Sequence, residues 1–104
     1  MPQRALSSAT ELLRGDADHR STKTTLAVRL NRLIDARGLS QTEAGEILGM
    51  PQPKVSAIRN YKLRGISLER LLQALAAFGQ QVEIVVRPST ADVPPGVSVT
   101  SWHR

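Results

Sequence analysis

Between Gln41 and Asn60 the chain carries side chains suited to reading a polar surface rather than to breaking bonds. Gln52 has an amide that donates and accepts at once, as the edge of an adenine requires, and Lys54 can reach guanine acceptors or a phosphate. Ala57 has the shape to meet a thymine methyl, and Pro53 and Ser56 share the same short stretch. Gln41 sets an amide beside the backbone N–H groups of a helix start, where a phosphate binds. Arg59, Asn60, Lys62 and Arg64 follow, as candidates for contacts to a phosphate backbone.

The residues for covalent chemistry are missing. Ser56 has no base near it in the motif, so its hydroxyl reads as a contact and not as a nucleophile. His19 and His103 stand alone, one in each polar end, without the neighbours of a metal site. The absence of cysteine excludes disulfides, thiolate metal sites and cysteine nucleophiles together. A non-enzymatic chain without cofactor or metal is therefore expected. The net charge is +5, and eleven of the fourteen cations are arginines, which grip phosphate in bidentate fashion. An anionic partner fits that balance, although Arg29, Arg32 and Arg37 read as the solvated face of a helix. No apolar run approaches the roughly 20 residues that cross a bilayer, and Met1 to Ser8 lack a signal-peptide core. A cytoplasmic protein with no membrane partner is expected.

These side chains need elements to position them. Aromatic residues make up 3% of the chain, so the core is expected to be built from Leu, Ile, Val and Ala. Residues 1–22 read as a flexible arm with one possible short helix, where Ser8 and Glu11 form a capping-box pattern and Gly15 is the stop. From Lys23, the spacing of Leu26, Leu30, Leu33 and Ile34 predicts an amphipathic helix ending at Gly38. Ser40 and Glu43 form a second capping box, opening a helix that buries Ala44, Ile47 and Leu48 and stops at Gly49. A short helix from about Gln52 to Asn60 follows, around Val55 and Ile58. Ser67 then caps a helix whose buried stripe is Leu68, Leu71, Leu72, Leu75 and Ala76. The period next changes to two: Val82, Ile84 and Val86 alternate with Glu83, Val85 and Arg87 until Pro88, which predicts one strand. Residues 89–104, with Pro94-Pro95-Gly96, read as a flexible tail in which Trp102 is either exposed or anchors a partner.

Two helices that cross tightly enough to read a DNA groove need a small residue at the contact, a glycine at the turn and buried aliphatics at fixed offsets. Gly45, Gly49, and the set Ala44, Leu48, Met50, Val55 and Ile58 meet those needs. With Gly38-Leu39-Ser40-Gln41-Thr42-Glu43-Ala44 and Leu48 to Ser56, the chain resembles the Xre/Cro-type helix-turn-helix proteins. With Ser67 to Leu72, Phe78-Gly79 and Val82 to Pro88, it resembles more narrowly the HigA-like antitoxins of type II toxin-antitoxin modules. The resemblance implies a homodimer that represses its own promoter and neutralises a ribonuclease toxin encoded beside it. It departs from the pattern at Gly45, where alanine is usual, and at Pro51, where serine or threonine usually caps the reading helix.

The fold expected is mainly α: a repressor-like helix-turn-helix bundle over residues 23–88, with one C-terminal β-strand pairing across a dimer through Val82, Ile84 and Val86. A two-fold axis there would set two reading helices about 34–36 Å apart on double-stranded operator DNA. Two other readings stay open. One is a stand-alone regulator without a toxin; the other is a protein-interaction module that has lost DNA binding.

Overall fold

The computed structural model describes the backbone of residues 3–100 and the side chains of residues 20–100. Four helices follow one another: α1 (Gln3–Ala36), α2 (Gln41–Leu48), α3 (Gln52–Arg59) and α4 (Leu68–Ala77). The break expected at Gly15 does not occur: α1 runs unbroken from Gln3 to Ala36. A glycine inside a helix costs about 1 kcal/mol relative to alanine, too little to end a helix where no proline follows. Further along, the exposed Thr24 and Thr25 donate their hydroxyls back to the carbonyls of Arg20 and Ser21, each at 3.0 Å. The capping pair Ser8 and Glu11, His19, Trp102 and His103 lie outside the described side chains.

α1 packs across α4 and α3, while α2 crosses α3 and touches α4. The buried stripe of α1 is Leu26, Ala27, Leu30 and Ile34, and it meets Val55 and Ile58 of α3 and Leu71, Ala74 and Leu75 of α4 in one core. That core is not purely aliphatic. Phe78, directly after α4, is the largest fully buried side chain, and the Arg37 guanidinium lies 4.8 Å from its ring centroid while donating to its carbonyl oxygen at 3.2 Å. Arg37, though exposed, thus also clamps the end of α4 to the end of α1. Two members of the expected buried stripes, Ile47 and Ala76, are exposed.

Among the described residues there is no β-strand. A strand exists only through hydrogen bonds to a neighbour, and among the described residues none bonds its backbone to residues 82–87. They lie outside any helix, and their side chains are exposed. The chain turns at Thr90, whose N–H donates to the Val93 carbonyl at 2.9 Å. It then comes back far enough for Val99 to rest against the core, so the tail from residue 89 is not wholly detached.

Candidate nucleic-acid interface

The groove between α2 and α3 begins with a well-made helix start. Ser40 accepts from the Glu43 backbone N–H at 3.1 Å, and Glu43 accepts from the Ser40 backbone N–H at 2.9 Å. Hydrogen bonds to the Glu43 carboxyl, first from the Ser40 backbone and then from its side chain, hold it below its ordinary value. They also leave the amide N–H groups of Gln41 and Thr42 pointing out of the first turn, as an anion site at a helix start needs.

The turn between the helices is tight. Gly49 takes the left-handed conformation, with φ 64°, and closes α2 by donating to the Gly45 carbonyl. A Cβ on Gly45 would stand 2.8 Å from the Met50 carbonyl oxygen and 3.4 Å from a Val55 methyl. Glycine in place of the usual alanine is thus a condition of this crossing. From the far side, Arg70 of α4 donates to the carbonyl oxygens of Leu48 and Gly49 at 3.2 and 2.9 Å. A cation there satisfies carbonyls at the negative end of α2. Nothing in the one-dimensional pattern singled out Arg70.

α3 begins at Gln52. Pro51 is its N-cap and makes no side-chain cap bond. The N–H groups of Lys54 and Val55 both turn back to the Pro51 carbonyl, at 2.9 and 3.3 Å. Since Pro53 has no N–H, Gln52 alone offers a backbone donor in this turn, and recognition at this end of α3 falls to side chains.

Gln41, Thr42 and Glu46 of α2 and Gln52 of α3 line one groove, with Gly45 and Gly49 beside them. The structure therefore brings Gln41 and Gln52 together. It adds Thr42 and Glu46, four positions apart on a stripe of α2 that adjoins the one holding Gln41 and Gly45. Lys54 and Pro53 are exposed beside this groove, and Lys54 Nζ donates to the Gly65 carbonyl at 3.0 Å. Ser56 is half-buried, and its carbonyl accepts from the Asn60 side-chain amide at 2.8 Å. Ala57 rests partly against the core.

Arg59 faces inward. It donates to the backbone and side-chain oxygens of Asn31 at 3.1 and 3.2 Å and pairs with Asp35. Asn31 in turn donates to the Ile58 carbonyl at 3.0 Å. This network ties the end of α3 to α1, so Arg59 positions the helix. Lys62 and Arg64, just beyond, are exposed. Val82, Ile84 and Val86 lie on the segment after α4 and do not line the groove. Among the described residues no His, Cys, Asp or Glu cluster could hold a metal ion, and no helix is long and apolar enough to cross a membrane.

A helix-turn-helix domain family model matches residues 9–87. A solved structure whose name places it among XRE-family transcriptional regulators shares 49% sequence identity, with 83% of this chain and 98% of that one covered and a TM-score of 0.78. Among curated proteins there is no significant match.

Proposed function

We propose, since this chain belongs to the XRE-type helix-turn-helix family, that it is a DNA-binding regulator of transcription that reads a major groove with the start of α3. The convergence of Gln41 and Gln52 on one groove carries this reading. Gln52, Lys54 and Ser56 would meet base edges, and Gln41 and Thr42 a phosphate, while Lys62 and Arg64 extend the contact along the backbone. Pro53 and Ala57 would add apolar contact at most, and Asn60 would support Ser56. Glu46 would repel a phosphate, which favours a position for it over bases, where a carboxylate accepts from a cytosine amine.

Titration of the protein against the DNA upstream of its own gene, over a range of salt, tests this. Each phosphate neutralised contributes about 0.9 to the slope of log affinity against log salt. Gln52→Ala should cost about 1–3 kcal/mol on the preferred site and little on random DNA. Equal affinity for both DNAs, with no salt dependence, would instead favour a protein-interaction module.

The finer reading is a cytoplasmic homodimer that occludes a roughly palindromic operator as the antitoxin of a type II toxin-antitoxin module. The likeness of Ser67 to Leu72 and Val82 to Pro88 to HigA-like antitoxins supports it, as does the exposed apolar run at Ile84, Val85 and Val86. Co-purification with the product of the neighbouring gene, followed by footprinting on the shared promoter, distinguishes it from a stand-alone regulator.

A further inference from the structure

Ile84 is 74% exposed and Val86 91% exposed. Between residues 81 and 89, no backbone group is hydrogen-bonded within the described part of the chain. A non-helical segment with both apolar side chains and backbone donors left open is a template for another strand. Its sequence, Val82-Glu83-Ile84-Val85-Val86-Arg87-Pro88, says which strand. We propose that this segment pairs antiparallel with its own copy in a second molecule, with the two-fold axis passing through Val85. The proposal rests on the dimeric reading above and adds its register.

In that register Glu83 lies opposite the partner's Arg87, and the reverse, while Ile84 lies opposite the partner's Val86. One face of the ribbon then carries Val85 flanked by two ion pairs, and the other is wholly apolar: Val82, Ile84, Val86 and Pro88 from each copy. The apolar face would be covered by the helical bodies and the charged face left to solvent. No other pairing achieves this. Parallel pairing sets Glu83 against Glu83 and Arg87 against Arg87. Moving the axis to Ile84 or Val86 leaves one of the charges opposite a valine, and an axis between residues faces Glu83 or Arg87 with the apolar side. Pro88 supplies an independent check. It has no N–H and must fall at a pair that exchanges no hydrogen bonds. If the Val85 pair exchanges both of its bonds, the alternation of an antiparallel ladder puts Pro88 opposite the partner's Val82 at a non-bonded pair.

Sedimentation equilibrium of the full chain, with Glu83→Arg, Arg87→Glu and the double reversal, tests the register. Each single reversal places like charges opposite each other twice per dimer and should raise the dimer dissociation constant about tenfold or more. The double reversal restores both pairs and should return it to within about threefold of the unaltered protein. Both positions lie outside the core, and unchanged monomer melting curves verify that folding is unaffected. Val85→Pro removes the N–H donated at the axis and should leave a monomer. A dimer indifferent to both reversals, or one the double variant fails to restore, overturns the register but not the dimer. A monomer at tens of micromolar overturns both, while groove reading by α3, measured separately on DNA, would stand.

Discussion

In the α2–α3 unit the chain supplies its own partners: Ser40 and Glu43 bond reciprocally, Arg70 satisfies the carbonyls at the end of α2, and Arg59 holds α3 to α1. Residues 81–89 supply none of theirs, although Val82, Ile84, Val85 and Val86 give them an apolar run of their own. Apolar content alone therefore does not decide what a segment does. Where its period matches a surface the same chain can cover, it folds; where it does not, its free energy is left for an interface.

The sharpest test of this contrast compares two aliphatic truncations. Ile58 is fully buried, so Ile58→Ala should destabilise the monomer by about 2–5 kcal/mol. Val86→Ala should change monomer stability by less than about 0.5 kcal/mol. Thermal melts at concentrations where the protein is monomeric check both. A large loss from Val86→Ala would mean that the segment packs within its own chain.

Gly45 sharpens the comparison from the other direction. By helix propensity alone, Gly45→Ala should stabilise α2 by about 1 kcal/mol. The 2.8 Å approach to the Met50 carbonyl reverses that sign, because the added methyl pushes the turn apart. The expected outcome is a loss of about 1–3 kcal/mol, measured as a lower denaturant midpoint. A gain would show that the crossing relaxes freely.

A third comparison separates two cations at the end of α3. Arg59→Ala removes the bonds to Asn31 and Asp35 and should cost about 1–2 kcal/mol of stability. Lys62→Ala should leave stability within about 0.5 kcal/mol and lower the salt slope of DNA binding by about 1. The reverse result would exchange their roles.

These cases also mark how far the sequence could be read. The boundaries of α2 and α4, and the buried Leu30, Ile34, Val55, Ile58, Leu71 and Leu75, follow from helical spacing and capping residues, which are local. The same is true of Gln41 and Gln52 as groove residues. What could not be read depends on three-dimensional neighbours. The arginines look alike in sequence, but Arg37, Arg59 and Arg70 are distinguished by carbonyls 41, 28 and 21 or 22 positions away. Phe78 sits beside a helix-ending glycine, and only packing shows that it fills the centre of the core. Tyr61 holds φ 58°, a left-handed conformation that favours glycine, and no residue pattern announces it. The strand expected over residues 82–87 rests on a period of two, but a period names no partner, and the described residues form no strand.

The smallest expected effect lies at the first turn of α2. Glu43 is fully exposed, and its carboxyl is held below the usual carboxylate range by hydrogen bonds first from the Ser40 backbone and then from the Ser40 side chain. A folded-state pKa lower than the unfolded one means that the unfolded chain binds a proton more readily. The bonds therefore contribute their full stability above the unfolded carboxylate pKa, and the contribution disappears as pH falls through the folded value. Glu43→Gln keeps an acceptor for the capping box but cannot titrate. Its melting temperature should decline less steeply between neutral and acid pH than that of the unaltered protein, with the two curves converging at the acid end. Parallel curves would mean that the cap is broken in solution. The start of α2 would then fray, and the amide N–H groups of Gln41 and Thr42 would no longer be held in place for a phosphate.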